Sequence, residues 1–379
     1  MSNEHAVAVL GGGNGAFAVA ADLTLKGFDV RLLEVPEYAK NLQSVRDYGG
    51  IDLINPGIDE FESGFAKIST ITIDPKEAIE GASIILFVVP GYAERRFIDL
   101  IKPFIKKSQL VVFFCGVFGG SLEFAYRISL DPNSEKPLIA EVEALLYGAI
   151  KFKPNGVRLT GRKKGLAVAS FPTTNINPTM NILSEIVPDL SQARNVIETG
   201  LRNANIVLHP PVFILNAGRV HTNEEPFRFY WDGVNEHVGK IVRALDEERL
   251  RIGKALGLRI SSTRERLLSW YGDQGARGDS LWEVMSTNPV YKSAVAPDTF
   301  NHRFITEDVP YGLVPLEEIG CAMELATPIT SALITMASEL TARDYRADGR
   351  TLKKLGLSGL SPDQIISFLD GKEGEEHDD

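Results

Sequence analysis

Residues 6–25 constrain this chain more tightly than any other stretch. Ala6-Val7-Ala8-Val9-Leu10 is a five-residue apolar run of the kind found in a strand covered on both faces. Gly11-Gly12-Gly13 follows without a spacer, and Asn14-Gly15-Ala16 opens a helix-like run from Phe17 to Leu25. Gly11, Gly13 and Ala16 stand at the three positions of a GxGxxG/A pattern. The first glycine permits a tight turn, the second leaves the backbone open to a pyrophosphate, and the alanine lets the helix pack closely on the strand. The helix N-terminus then offers N–H groups and a positive dipole end to phosphates. A second strand, Asp29 to Leu33, ends at Glu34, which lies 18 residues past Ala16, where a ribose-binding carboxylate is expected. The alternative, a glycine-rich turn without a ligand, has no use for this flanking strand, helix and acid. Glu34 would accept from a ribose 2′-hydroxyl and repel a 2′-phosphate, Arg31 points to the other strand face, and residues 35–39 contain no arginine. NAD is therefore expected over NADP.

At 379 residues the chain is long enough for two domains. A net charge of −10 argues against nucleic acid or an anionic membrane as partner, while leaving room for a few arginines to bind an anionic small molecule. Cys115 and Cys321 are far apart, which disfavours a disulfide framework and suits a reducing cytoplasm. The two cysteines and six histidines show no metal-ligand spacing. Residues 1–5 lack the basic and apolar regions of a signal peptide, and runs such as Ile84 to Pro90 are too short to span a bilayer.

Strand and helix patterns alternate through the first half. Further strands fit Ile71 to Ile73, Ser83 to Val89, Leu110 to Phe114, Leu138 to Val142, Tyr147 to Lys153, Gly156 to Thr160 and Gly165 to Ala169. Such alternation implies a doubly wound parallel sheet. After about Pro178 helical periodicity dominates, with helices expected over Asn181 to Val187, Gly200 to Leu215, Tyr230 to Leu256, Ser261 to Tyr271, Asp279 to Thr287, Glu317 to Ala322, Pro328 to Ala342 and Pro362 to Leu369, the last with Ser361 as its cap. The expected fold class is α/β: an N-terminal Rossmann doubly wound sheet over residues 1–185, an all-helical C-terminal domain over 186–370, and an acidic disordered tail over 371–379.

Acid–base chemistry is expected mainly from the second domain. Asn205 and His209, four apart, share one helix face in an apolar setting. Pro210 and Pro211 each disfavour helical geometry in the preceding residue, which predicts His209 at a helix end or break. A core or capping histidine fits the same spacing. Residues 301–315 form a proline-bounded, loop-like stretch with Arg303 able to clamp a carboxylate and Asp308 able to orient a histidine. A surface loop with local ion pairs fits it too. His221 and His237 flank a polar-aromatic stretch and read as surface or interface residues, and Asp344-Tyr345-Arg346 reads as a solvated face. Glu143 follows a strand, and a solvated surface glutamate suits it as well as a binding role.

The glycine pattern, Val88-Val89-Pro90, Asn205-x-x-x-His209-Pro210, Arg303-x-x-x-Glu307-Asp308-Val309 with Gly312-Leu313-Val314-Pro315, and the segment Gly349-Arg350-Thr351-Leu352 through Leu360 together resemble the opine dehydrogenases. The similarity runs from about residue 6 to 368; the Gly272–Gly278 loop and the acidic tail fall outside it. The resemblance implies NAD(P)H-dependent reductive condensation of a 2-oxo acid, often pyruvate, with the amino group of an amino acid. It makes His209 the catalytic histidine, Asp308 its carboxylate partner and Asn205 the asparagine one turn before. Arg303 and Glu143 become substrate-binding residues, with Gly11, Gly13, Asn14, Gly15, Ala16, Glu34, Val89 and Pro90 binding the cofactor. An imidazole held by a carboxylate suits the proton shuttling of imine formation near neutral pH. Small molecules are the expected partners, and the chain is expected to be a monomer or homodimer. Two alternatives stay open: a 2-keto or 2-hydroxy acid reductase of similar build, and a non-catalytic nucleotide sensor.

Overall fold

The computed structural model describes residues 5–58, 61–220 and 226–371. His221, His377 and the acidic residues 372–379 lie outside the described residues. The chain divides into two compact units, Met1–Gly116 with Gly120–Val196, and Val117–Gly119 with Ile197–Asp379.

Among its described residues the first unit holds twelve strands: β1 (Ala6–Leu10), β2 (Asp29–Leu33), β3 (Gly50–Ile54), β4 (Gly64–Lys67), β5 (Thr70–Thr72), β6 (Ile84–Phe87), β7 (Leu110–Phe114), β8 (Leu138–Val142), β9 (Tyr147–Lys153), β10 (Gly156–Arg162), β11 (Ala167–Phe171) and β12 (Ser191–Gln192). Eight of them form the main sheet in the order β12-β11-β8-β7-β6-β1-β2-β5. Pairing is parallel throughout except that β11 runs antiparallel to β8. The unit division at Val196/Ile197 falls past the expected boundary at 185/186, and β12 extends this sheet beyond β11. β1, β6 and β7 are almost wholly buried, as the apolar runs require. Phe87 stacks on Phe113 with ring centroids 4.3 Å apart, and Phe124 meets both edge-on at 6.0 and 5.9 Å. The register matters for function: Leu10 pairs with Leu33 on one side and Phe87 on the other. The residues that follow, Gly11, Glu34 and Val88, therefore emerge side by side at one sheet edge.

β9 and β10 belong to a separate four-stranded sheet, β4-β3-β10-β9, and not to the doubly wound sheet as the alternation implied. Its inner face, with Ile51, Leu53, Ala66, Val157 and Leu159 buried, packs on the helix Asn14–Leu25. Phe65, Ile150 and Phe152 are exposed on the other face. β3 and β4 escaped the sequence reading because only one face of each is apolar and both carry glycine.

The second unit is helical among its described residues, apart from one isolated bridge between Arg228 and Val295. Its longest helix, Glu236–Ala255, starts later than expected because the Asn235 side chain accepts from the Val238 N–H and caps it there. Ser262, Ser280 and Ser361 each cap a helix in a reciprocal pair with a residue three on, Glu265, Glu283 and Gln364. The segment expected as one helix, Gly200 to Leu215, is two, Val196–Arg202 and Asn205–Leu215, parted at Asn203. The segment Val117–Gly119 packs into this unit. A Cβ on Gly200 would lie 2.9 Å from the Phe118 ring, and Asn203 Nδ2 donates to the Val117 carbonyl at 3.0 Å. Val117 carries φ +54°, a strained value for a β-branched residue, with that donor holding its carbonyl.

Candidate active site

In the first unit the glycines have separable reasons. Gly11 sits at φ +115°, and a Cβ there would come within 2.8 Å of both the Val88 carbonyl oxygen and Val89 Cγ1. A Cβ on Gly15 would press Leu145 Cδ2 at 2.9 Å, so packing explains that glycine. Around Gly13 a Cβ would meet nothing within 4 Å. No neighbour in the chain demands a glycine there, and the open space is the room a phosphate needs. Gly13 also starts the helix Asn14–Leu25 without a side-chain cap, so the first-turn N–H groups keep their affinity for an anion. These residues fit a dinucleotide. Ala16 is fully buried, Asn14 is on the rim, and Pro90 caps the helix Gly91–Ile101.

Glu34 is buried at 4% exposure. Its Oε1 accepts from the Val35 N–H at 2.9 Å and its Oε2 from Asn41 Nδ2 at 3.0 Å. A Cβ on Gly12 would lie 2.7 Å from Glu34 Oε2, so the middle glycine, silent in the pattern, is what admits the acid. Arg31 is drawn away from this site and donates to the carbonyls of Glu77 and Glu80. Glu143 is buried rather than solvated; its Oε1 accepts from the Ala167 N–H at 3.0 Å and ties the end of β8 to β11.

In the second unit His209 is the fifth residue of the helix Asn205–Leu215, which runs unbroken through Pro210 and Pro211. This corrects the expected helix end. The two prolines withhold the N–H groups that Ile206 and Val207 carbonyls would bond, yet every residue from Ile206 to Ile214 is buried, and packing outweighs the local cost. His209 Nδ1 lies 2.7 Å from Asp308 Oδ2, both side chains being nearly inaccessible. A proton on Nδ1 in that bond puts the imidazole lone pair on Nε2. The ring stacks on Phe304 at 3.9 Å, with Phe229 and Tyr230 flanking at 6.3 and 6.4 Å. Asn205 is half-buried one turn earlier, its N–H donating to Asn203 Oδ1 at 3.0 Å.

The stretch read as loop-like is mostly helical: a short helix, Arg303–Thr306, and a π turn, Val309–Leu313. Asp308 sits between them. Burial pushes its carboxyl up to about 7, against the pull of the Arg303 charge. His302 caps the short helix and is pushed down to about 4 by burial and by the charges of Arg303 and His209. Arg303 is half-exposed and its Nε lies 3.7 Å from Glu307 Oε2. A Cβ on Gly312 would collide with Ile206 of the histidine helix, so this glycine lets the turn press against it. Arg350, fully buried, holds the same turn from behind: its N–H donates to the Pro310 carbonyl at 2.8 Å and its Nη1 to Phe118 at 3.0 Å.

An opine dehydrogenase from Arthrobacter sp. (strain 1C) is 33% identical over 370 residues, 98% of this chain and 100% of the relative. The chain belongs to the opine dehydrogenase family. Residues 192–341 match the family model described as the alpha-helical domain of NAD/NADP octopine/nopaline dehydrogenase. The fold is that of a solved octopine dehydrogenase with NADH and L-arginine, at a TM-score of 0.78 and 22% identity over 98% of this chain and 100% of the other. The structure of octopine dehydrogenase with NADH and pyruvate gives 0.76 at 23% identity with the same coverage. The enzyme is an NAD(H)-dependent oxidoreductase acting on the CH–NH group of its donors.

In the enzyme's first unit, sequence reasoning missed Gly12, Asn41 and Lys151. Lys151 Nζ donates to the Gly12 carbonyl at 2.8 Å and stands 3.6 Å above the Phe17 ring. In the second unit Arg350 and Gly312 lie within the motifs of the family resemblance, which assign neither a task. An arginine directly after Gly349 is the signal the sequence offers for Arg350. Tyr345, read as part of a solvated face, is buried, and Arg346 makes a two-pronged ion pair with Glu317 at 2.8 Å.

Proposed function

We propose that the enzyme joins the amino group of an amino acid to a 2-oxo acid such as pyruvate and reduces the resulting imine, with His209 and Asp308 as its acid–base pair. The observation that carries this is the buried 2.7 Å bond between His209 Nδ1 and Asp308, made by residues 99 apart in sequence. Condensation needs a proton taken from the attacking ammonium and another given to the departing carbinolamine oxygen. One imidazole nitrogen can do both in turn, provided the ring is held and its cation stabilised. Asp308 holds the ring through Nδ1, so Nε2 is the atom assigned to the transfers. Phe304 stacked on the ring keeps it in one plane and excludes water from that face. Arg303, half-exposed and carrying its charge beside Asp308, is assigned to the substrate carboxylate, where a guanidinium binds two oxygens at once. Asn205 shares the histidine's helix face and is assigned to orient the reacting group.

NADH supplies the hydride when bound. Gly11, Gly13 and the start of the helix Asn14–Leu25 are assigned to its pyrophosphate, and Glu34 to a ribose diol. Val89 and Pro90, beside Gly11 at the same sheet edge, wall the site. The solved octopine dehydrogenases with L-arginine and with pyruvate support an amino acid and a 2-oxo acid as the two reactants. The test is NADH oxidation with pyruvate and a panel of amino acids. Turnover is expected only when both reactants are present; oxidation with the keto acid alone would make the enzyme a keto acid reductase instead.

A further inference from the structure

Lys151 comes from a sheet that plays no part in binding dinucleotides in a simple doubly wound domain, yet it reaches the glycine turn. It lies on β9, the edge strand of the small sheet that packs on the helix Asn14–Leu25. Its Nζ donates to the Gly12 carbonyl at 2.8 Å and stands 3.6 Å above the ring of Phe17. One partner lies in the glycine turn and the other in the helix that follows it, where the aromatic face stabilises the ammonium. Burial depresses the ammonium's affinity for its proton and the nearby Glu34 charge restores part of it. Leaving water is costly for so strongly hydrated a group, so its seat on the turn needs a reason beyond solvation.

Peptide geometry supplies one. In a trans peptide the carbonyl and the following N–H point in opposite directions. Fixing the Gly12 carbonyl on Lys151 therefore aims the Gly13 N–H the other way, and the surroundings of Gly13 are open. The same lysine places a positive charge against the turn in a chain of net charge −10. We propose that Lys151 is a cofactor-positioning residue, gripping the Gly12 carbonyl so that the Gly12–Gly13 peptide is preset for the pyrophosphate of NADH. The proposal rests on the reading that the dinucleotide lies on Gly11–Ala16.

The test is a fluorescence titration of NADH against wild type, Lys151→Met, Lys151→Arg and Gly13→Val, with thermal melts of each apo protein. Lys151→Met is expected to weaken NADH by roughly tenfold or more, the range in which charge-assisted hydrogen bonds act. The loss is expected in KM for NADH and not in kcat, with the apo melt preserved and Lys151→Arg restoring most of the affinity. Should Lys151→Met not fold, Lys151→Ala, which also removes the donor, carries the same expectation. NADH affinity within twofold of wild type in Lys151→Met, while Gly13→Val abolishes binding, overturns the role of Lys151 and leaves the dinucleotide where it was assigned. Unchanged affinity in Gly13→Val overturns that assignment itself.

Discussion

At the scale of single residues, the proposed acid–base role ties His209 to Asp308 through their 2.7 Å bond. Removing the imidazole in His209→Ala is expected to lower turnover by at least a hundredfold, the lower range for a general acid–base group. NADH affinity should stay within about twofold, because the residues assigned to the cofactor all lie in the first unit. Steady-state assay and NADH titration check this, and near-normal turnover would remove His209 from the mechanism. Asp308 makes a second expectation. Its folded-state pKa is raised from 3.8 to about 7 by burial. Between those values the folded chain keeps a proton that the unfolded chain has released. The group's contribution is therefore complete below pH ~4 and lost as pH rises through ~7. Wild type is expected to lose stability relative to Asp308→Asn across that window, by on the order of a few kcal/mol. Denaturant unfolding at several pH values checks the sign; a difference that does not vary with pH would mean Asp308 is ionised in both states. The contact of His209 with Asp308 was legible only through the family resemblance, which pairs the two, and the place of Glu34 at the end of β2 through its spacing from the glycine pattern. Lys151 and Arg350 were not, because their partners lie 139 and 232 residues away, and no local spacing records such a pairing.

At the scale of elements, the histidine helix and the π turn form one device. Pro210 and Pro211 argued locally for a break, and burial on all sides overrode them. Gly312 then allows the turn carrying Asp308 to sit against Ile206 without a methyl between them. Gly312→Ala is expected to destabilise the chain by about 1–3 kcal/mol, the usual cost of overpacking. It should also reduce kcat more than NADH affinity, since the displaced element carries Asp308. Denaturant unfolding and a parallel NADH titration check it; a variant as stable as wild type would mean the turn has room to yield. Elements with strong two-sided or capped patterns, such as β6, β7 and the helix Pro362–Asp370, were readable in sequence. β3 and β4 were not, because glycine and charge on one face dilute their alternation.

At the scale of the whole molecule, a nucleotide-binding sheet followed by helices was readable from the change of periodicity. What periodicity could not show was that β9 and β10 leave the main sheet, since strands of either sheet alternate alike. Ligand linkage makes the first unit's role measurable without catalysis. NADH at a hundred times its Kd is expected to stabilise the enzyme by about 2.7 kcal/mol. NADPH at the same concentration should give much less, because Glu34, assigned to the ribose diol, is buried and fixed and would meet a 2′-phosphate with like charge. Differential scanning of the thermal midpoint with each nucleotide checks this, and an equal shift would show that Glu34 does not discriminate.

Val117–Gly119 has a consequence for how such an enzyme is built and rebuilt. These residues are translated within the first unit's sequence and belong to the second. The Phe118 carbonyl receives its bond from Arg350, 232 positions later. The helical unit is thus not a cassette that a single cut can free. A fragment starting at Ile197 lacks a piece of its own interior, and a chimera that grafts these helices onto another nucleotide-binding domain must import the Val117–Gly119 loop as well. On the ribosome, that early loop waits for the synthesis of Arg350, 232 positions later, before this partner is made.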